Sequence, residues 1–297
     1  MALNLMIEYW ILLALVALFL YGMSQVVNKS SLNSISAANY ILISAVATMP
    51  MYLVLMIGYL YKSGGWQGGF SYTIYGLLSV SFGLTGYYTF LEALKSGPVS
   101  IVGSITAAYP VMTVIVAITL LSEVLNLFQG VGVAVILIGM VALSYSNESD
   151  QGISGISRKC LVLSIITFFL WGLWTIFIKV SLEDLHVAAY LGLYIFATPT
   201  ITAIYLYYRK LPGEKIVPNW SLGVKLSVIA ICIGQIAFFC EVYAADTGPA
   251  SIVFPLVAAY PVLTVLFAMA FLRERLSRLD LTFVLMVIFG IVLVSTV

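Results

Sequence analysis

The sequence predicts an all-α integral membrane protein: ten transmembrane helices arranged as two inverted five-helix repeats. Three observations lead there. The 297 residues are 62% hydrophobic and only 8% charged, with a mean hydropathy of +1.11, whereas a soluble domain carries about 25% charged residues. The apolar residues fall into ten runs of the ~20 residues that cross a bilayer. One stretch is also written twice. Gly97-Pro98-Val99-Ser100-Ile101-Val102, Ala107-Ala108-Tyr109-Pro110-Val111 and Leu121-Ser122-Glu123 return 151 residues later as Gly248-Pro249-Ala250-Ser251-Ile252-Val253, Ala258-Ala259-Tyr260-Pro261-Val262 and Leu272-Arg273-Glu274. Fifteen of these 27 positions are identical, and such a repeat fixes the architecture before any single residue does.

Taken in order, the runs lie near 9–28, 36–60, 72–95, 97–121, 126–145, 160–180, 187–208, 222–246, 249–271 and 279–296. The links are short and hold most of the Gly, Pro, Ser and charge, as at Lys62-Ser63-Gly64-Gly65. The longest polar break, 146–159, separates the halves, so the first unit spans 1–148 and the second 149–297. The repeat extends beyond the opening stretch. Phe19, Leu20, Gly22, Lys29, Ser31, Leu32 and Tyr40 reappear at an offset of 150, and Gly83 and Gly139 at 151. Five spans per unit is an odd number, so the second unit enters the membrane from the opposite face. Inverted repeats of this kind mark secondary transporters, whose sites lie near the midplane between the halves. The N-terminus lacks the basic start and cleavage site of a signal peptide, and the first run is expected to be a retained span.

The turn Ala93-Leu94-Lys95-Ser96-Gly97-Pro98-Val99-Ser100 and the exit Leu121-Ser122-Glu123-Val124-Leu125 resemble the drug/metabolite transporter superfamily in its EamA-like branch. The second half repeats the pattern with Ala245-Asp246-Thr247-Gly248-Pro249-Ala250-Ser251 and Leu272-Arg273-Glu274-Arg275-Leu276, and in the first exit Val124 stands where the family has Arg. The resemblance spans nearly the whole chain. It implies a metabolite transporter whose central cavity is lined by the first four helices of each half, with the fifth and tenth peripheral.

The candidate site residues come first from the Tyr-Pro pairs. Tyr109-Pro110 and Tyr260-Pro261 sit at the midpoints of their spans. Proline removes a backbone donor and displaces the carbonyl four residues earlier, which should free the carbonyls of Thr106 and Val257. In hydrocarbon such groups need a neighbour or a wet cavity. The bland alternative is a packing kink. Thr48-Met49-Pro50 and Thr198-Pro199-Thr200 repeat the idea less regularly, and their threonines can bond back to their own helices. Trp171 and Trp174 lie near the centre of the sixth span, with Tyr21 aligned to Trp171. Trp171, Tyr109 and Tyr260 could face a cationic or amphipathic ligand. Gln235, Gln25 and Asn28 are neutral polar candidates for a cavity wall, or for bonds between helices.

An acid within a span is costly and marks a cavity or a partner. Glu241, flanked by Phe238, Phe239 and Cys240, and Glu92, close to a helix end, are the candidates for proton coupling. Glu241 aligns with Phe90, so the two acids are not mates under the repeat. Lys29 and Lys179 do match, and are read as snorkelling to the head groups or as counter-ions. The lone His186 and the odd set of Cys160, Cys232 and Cys240 suggest no metal site, no cofactor site and no disulfide framework. The cysteines are expected to be buried free thiols. No phosphate loop or catalytic constellation is present, so an enzyme is not expected. With a net charge of +1 and scattered cations, a nucleic-acid partner is not expected either.

The sequence therefore implies a secondary transporter in the cell membrane, ion-coupled or facilitated, for a small amphipathic metabolite such as an amino acid or an amine. A sugar derivative or a non-transporting membrane sensor or assembly protein is the alternative. The expected site is a cavity walled by Tyr109, Tyr260, Trp171 and Gln235, opened to each face by rocking of the two halves. Of the 13 cations, 11 fall in odd-numbered links. The positive-inside rule then puts those links in the cytoplasm and both termini outside, whereas the family resemblance implies cytoplasmic termini. Small residues such as Gly130 and Ala134 could support a homodimer or pack within the monomer.

Overall fold

A computed structural model describes residues 2–32, 35–96, 102, 105–146, 157–209, 221–272 and 278–295. The chain forms α1 (Ala2–Leu32), α2 (Ala37–Ser63), α3 (Phe70–Ser96), α4 (Tyr109–Thr119) and α5 (Leu127–Ser146). It continues with α6 (Arg158–Ser181), α7a (Val187–Gly192), α7b (Tyr194–Arg209), α8 (Leu222–Thr247), α9a (Ala250–Ala258), α9b (Tyr260–Leu272) and α10 (Arg278–Ser295). Among the described residues there is no strand. The order of rods matches the order of apolar runs. The Gly-Pro turn at 97–101 and the second exit at 273–277 lie outside the described residues.

Local chemistry sets several ends. The Ser36, Ser157 and Ser221 side chains accept the N–H groups of Asn39, Cys160 and Val224, capping α2, α6 and α8, which satisfies one donor that the first turn cannot. Gly64, at φ 73°, closes α2 in the left-handed conformation that glycine adopts without strain.

Among the described residues five helical stretches are long and apolar enough to cross a membrane: Tyr9–Asn28, Ala38–Ser63, Arg158–Ser181, Val187–Tyr208 and Leu222–Thr247. Ile105–Thr119, Leu127–Ala142, Ala250–Thr264 and Leu281–Val294 are shorter apolar helices. α3 is long at 27 residues but richer in Ser, Thr, Tyr and Gly. The polarity is turned inside out relative to a soluble bundle. Val54, Ile57, Leu127, Phe128 and Leu285 face outward, while Ser24, Ser79, Thr113, Thr175 and Gln235 are buried. Helices in lipid associate through small and polar residues, because the tails already solvate the aliphatic ones.

The packing is symmetric under exchange of the halves. α1 packs most extensively on α8, and its counterpart α6 packs on α3. α1 also meets α9b as α6 meets α4, and α5 pairs with α10. The repeated glycines sit at equivalent crossings. A Cβ on Gly22 would meet Leu263, and one on Gly172 would meet Met112. Gly83 faces Trp174 as Gly234 faces Ser24, and Gly139 faces Val287 as Gly290 faces Ile136. Even the polar crossing repeats, with the donor reversed. Ser24 donates to the Ala230 carbonyl and Ser79 to the Trp174 carbonyl, each at 2.9 Å.

The contacts also order the helix ends. Trp10 lies against Gly248, and Lys179 bonds the Gly248 carbonyl. Thus α1 begins at the end of the bundle where α6 and α8 finish. At the opposite end Ser157 donates to the Ser96 carbonyl, so α6 begins where α3 finishes.

Three expectations change here. α7 is interrupted at Leu193, where no proline stands. Cys160 is buried, but Cys232 and Cys240 are only half-buried, all three being free. Of the two options for Gly130 and Ala134, packing within the monomer is the one that changes: Gly130 has nothing within 4 Å of a Cβ position, and Ala134 is exposed. The helix-packing glycines of α5 are instead Gly132 and Gly139.

Candidate functional site

Each Tyr-Pro pair restarts a helix. Ala108 (φ −79°, ψ −4°) and Ala259 (φ −70°, ψ 1°) make nearly the same turn before Tyr109 and Tyr260. The N–H of Val111 reaches the Ala108 carbonyl at 2.9 Å, and that of Val262 the Ala259 carbonyl at 3.1 Å. Of the carbonyls expected to be freed, that of Val257 shares the Ala259 N–H with Leu256, which that N–H reaches at 3.3 Å, as the chain tightens toward 3₁₀ geometry at the break.

The breaks deliver two matched aromatic groups. Tyr260 packs on Tyr21 with ring centroids 5.7 Å apart, and Tyr109 on Trp171 at 5.8 Å. Tyr21 donates to Glu241 Oε2 at 2.8 Å, while Trp171 meets Phe90 at 5.2 Å. The positions correspond under the repeat, but the chemistry does not. One group ends in a carboxyl 2% exposed, the other in a phenyl ring. Tyr109 and Tyr260 both lie within electrostatic reach of Glu241.

A cavity of about 110 Å³ lies beside these groups, between α2, α3, α7b and α8. Its wall includes three residue pairs related by the repeat: Thr48 with Thr198, Ser44 with Tyr194, and Leu84 with Gln235. Both members of each pair thus meet in one cavity. Ile41, Ala45, Tyr52, Tyr87 and Tyr88 complete the wall. Tyr52 stacks on Tyr194 at 4.8 Å and donates to Gln235 Oε1 at 3.0 Å. Of the four residues expected to wall a solute cavity, Gln235 lines this one. Tyr109, Tyr260 and Trp171 do not line it; Tyr109 packs on Trp171, Trp171 on Phe90 and Tyr260 on Tyr21.

Several of the remaining candidates have structural partners. Glu92 accepts from Tyr205 at 2.9 Å, and Asn28 accepts from Tyr40 at 2.6 Å. Lys179 is held by backbone carbonyls. Its Nζ donates to the carbonyls of Ala245 (2.8 Å) and Gly248 (2.7 Å), satisfying groups that the end of α8 leaves open. The side chain of Lys29 lies outside the described residues. His186 caps α7a through Nδ1 and stacks on Tyr59. Among the described residues no group of His, Cys, Asp and Glu could hold a metal ion.

The sequence reading missed the wall residues Tyr52, Tyr87, Tyr88 and Tyr194. It also missed the role of Glu123. The Glu123 carboxylate accepts the N–H groups of Ala250 (2.8 Å) and Ser251 (2.9 Å) and the Ser251 hydroxyl. An acid of the first half thereby caps α9a of the second, favourably placed at the positive end of the helix. Ser122, at φ 56°, aims it there. The signal was present: Glu123 and Gly248-Pro249-Ala250-Ser251 both belong to the doubled stretch.

A model of the EamA-like transporter family matches the chain twice, over residues 8–145 and 158–296. A solved structure described simply as a crystal structure of a protein superposes with a TM-score of 0.76 at 18% identity, covering 97% of this chain and 98% of that one. That likeness concerns the fold. No curated protein sequence matches.

Proposed function

The chain belongs to the EamA-like transporter family, and from that premise we propose that it is a secondary transporter moving a small amphipathic metabolite, of amino-acid or amine size, across the cell membrane. The observation that carries this reading is the cavity walled by Thr48 and Thr198, Ser44 and Tyr194, Leu84 and Gln235. In this reading it lies on the axis relating the halves, and a site there is met equivalently from both faces, which alternating access requires. The volume of about 110 Å³ is small beside the roughly 300–1,000 Å³ of sites for drug-sized ligands, and suits a small solute. Ten membrane crossings in inverted repeats fit the helix directions, since α1 and α6 start at opposite ends.

The moving bodies in this reading are not the sequence halves. Rocking those apart would separate α1 from α8 and α3 from α6, the most extensive packings. The bodies that keep their packing are α1 with α8 and α9, and α3 with α4 and α6. Glu241, buried against Tyr21, is the proton-coupling group of this proposal; Glu92, held by Tyr205, is the weaker candidate.

Proteoliposomes containing only this protein and a panel of labelled amino acids, amines and neutral amides or alcohols of the same size test it. Saturable flux of a member is expected. The Glu241→Gln protein should lose uptake driven by a pH gradient and keep exchange at equal pH. Replacing the wall residues Tyr87 and Tyr88 by Phe and then Ala should weaken transport in steps, because Phe removes a hydroxyl and Ala the ring. The absence of any solute flux across the panel would sink the reading.

A further inference from the structure

We infer that the axial cavity selects an uncharged head group, a hydroxyl or primary amide carried on a flat apolar body. This rests on the transporter reading and narrows its solute. No charged side chain lines the cavity. Two buried polar groups in its wall are unpartnered. Gln235 is 8% exposed and uses Oε1 to accept from Tyr52, leaving Nε2 without a partner. Thr198 is 4% exposed, and its Oγ1 makes no hydrogen bond. Its mate Thr48 bonds back to the Ser44 carbonyl at 2.9 Å, so the lack is particular to Thr198.

A neutral group that both donates and accepts can satisfy Gln235 and Thr198 together, in whichever sense the amide is turned. A charged group would exchange water for a wall that offers dipoles but no counter-charge, and burying a lone charge costs far more than burying a lone amide. Glu241 does not supply that counter-charge. It stands outside the lining, on α8 six positions beyond Gln235, with its carboxyl on Tyr21 of α1. The stacked Tyr52 and Tyr194 rings, 17° from parallel, give the solute's body a flat wall, and Tyr87 and Tyr88 supply further ring surface.

Benzamide, benzoate and benzylammonium share one ring and differ in charge. Calorimetric titration of each into the purified full chain in detergent tests the inference. Benzamide should bind at least about ten-fold tighter than either ion, the size of effect one hydrogen bond or one desolvated charge gives. Gln235→Leu should remove that advantage while the unliganded melting temperature stays within a few degrees. Gln235→Glu should reverse the order in favour of benzylammonium. If Gln235→Leu does not fold, Thr198→Val carries the same expectation. Equal or tighter binding of an ion by the native protein, no binding of any of the three, or benzamide binding indifferent to these changes would overturn it. Flux of a labelled solute alongside preferred benzylammonium binding would leave transport standing and remove only the neutral-head inference.

Discussion

Tyr21 donates a hydrogen bond to Glu241 at 2.8 Å, joining α1 of the first half to α8 of the second through an acid 2% exposed. Removing one partner of a buried hydrogen bond costs about 1–3 kcal/mol. Tyr21→Phe should therefore lower the denaturation free energy in detergent by that amount. Glu241→Gln keeps an acceptor for the phenol and should cost less. The double variant should fall short of the sum by about 0.5–3 kcal/mol, as for residues in contact. Simple additivity would mean the two side chains do not act on one another.

The exit of the first half stores a strain that can be relieved. Ser122 sits at φ 56°, where a side chain costs roughly 1–2 kcal/mol. Ser122→Gly should raise the melting temperature, less than that figure suggests because glycine also frees the unfolded chain. Glu123→Ala removes the cap on Ala250 and Ser251 and should cost about 0.5–2 kcal/mol. A Glu123→Ala protein as stable as the parent would show that the cap contributes nothing.

Two glycines of the outer helix pair should respond in opposite directions. A Cβ on Gly290 would stand 2.9 Å from the Gly132 carbonyl oxygen, whereas one on Gly130 meets nothing within 4 Å. Backbone cannot yield as a side chain can, so Gly290→Ala should destabilise by about 1–3 kcal/mol. Gly130→Ala should be neutral or gain about 0.5–1 kcal/mol from helix propensity. Thermal melts of the two variants decide it, and a destabilised Gly130→Ala would place that face against a partner.

Orientation can be read with single cysteines. Lys225 lies near the start of α8, and Lys62 near the end of α2. The charge asymmetry of the links puts Lys225 in the cytoplasm. In intact cells lacking the native cysteines, Lys225→Cys should be protected from an impermeant thiol reagent and Lys62→Cys should react. The opposite pattern would favour the termini that the family resemblance implies.

The rods, the repeat and the two helix breaks were legible because each is a local signal. Apolar runs define the rods, the doubled Gly-Pro and Tyr-Pro define the repeat, and proline defines the break. The cavity wall was not legible. Tyr52, Tyr87, Tyr88 and Tyr194 carry no local mark that separates a wall residue from a packed one. Pro50 and Pro199 drew notice to α2 and α7, yet both lie inside helices, while α7 breaks at Leu193, after Gly192, a weaker local signal than proline. Thr198 and Thr48 read alike in sequence. Only the packing of α2, α3, α7b and α8 leaves one hydroxyl unpartnered and the other bonded to its own helix.

The exchange of partners between halves bears on how the chain is made. Among the described residues the extensive packings pair a helix before the 147–156 link with one after it. The unit that was duplicated is thus a unit of inheritance rather than of folding. While α1–α5 leave the ribosome, the surfaces they will bury have nothing to rest on but lipid, and α3 must wait for α6, and α1 for α8. Residues 1–146 made alone should be cleared by membrane proteases. Supplied as two separate polypeptides in the same cell, the two pieces should find each other and survive, recovering the pairing that a fused gene guarantees.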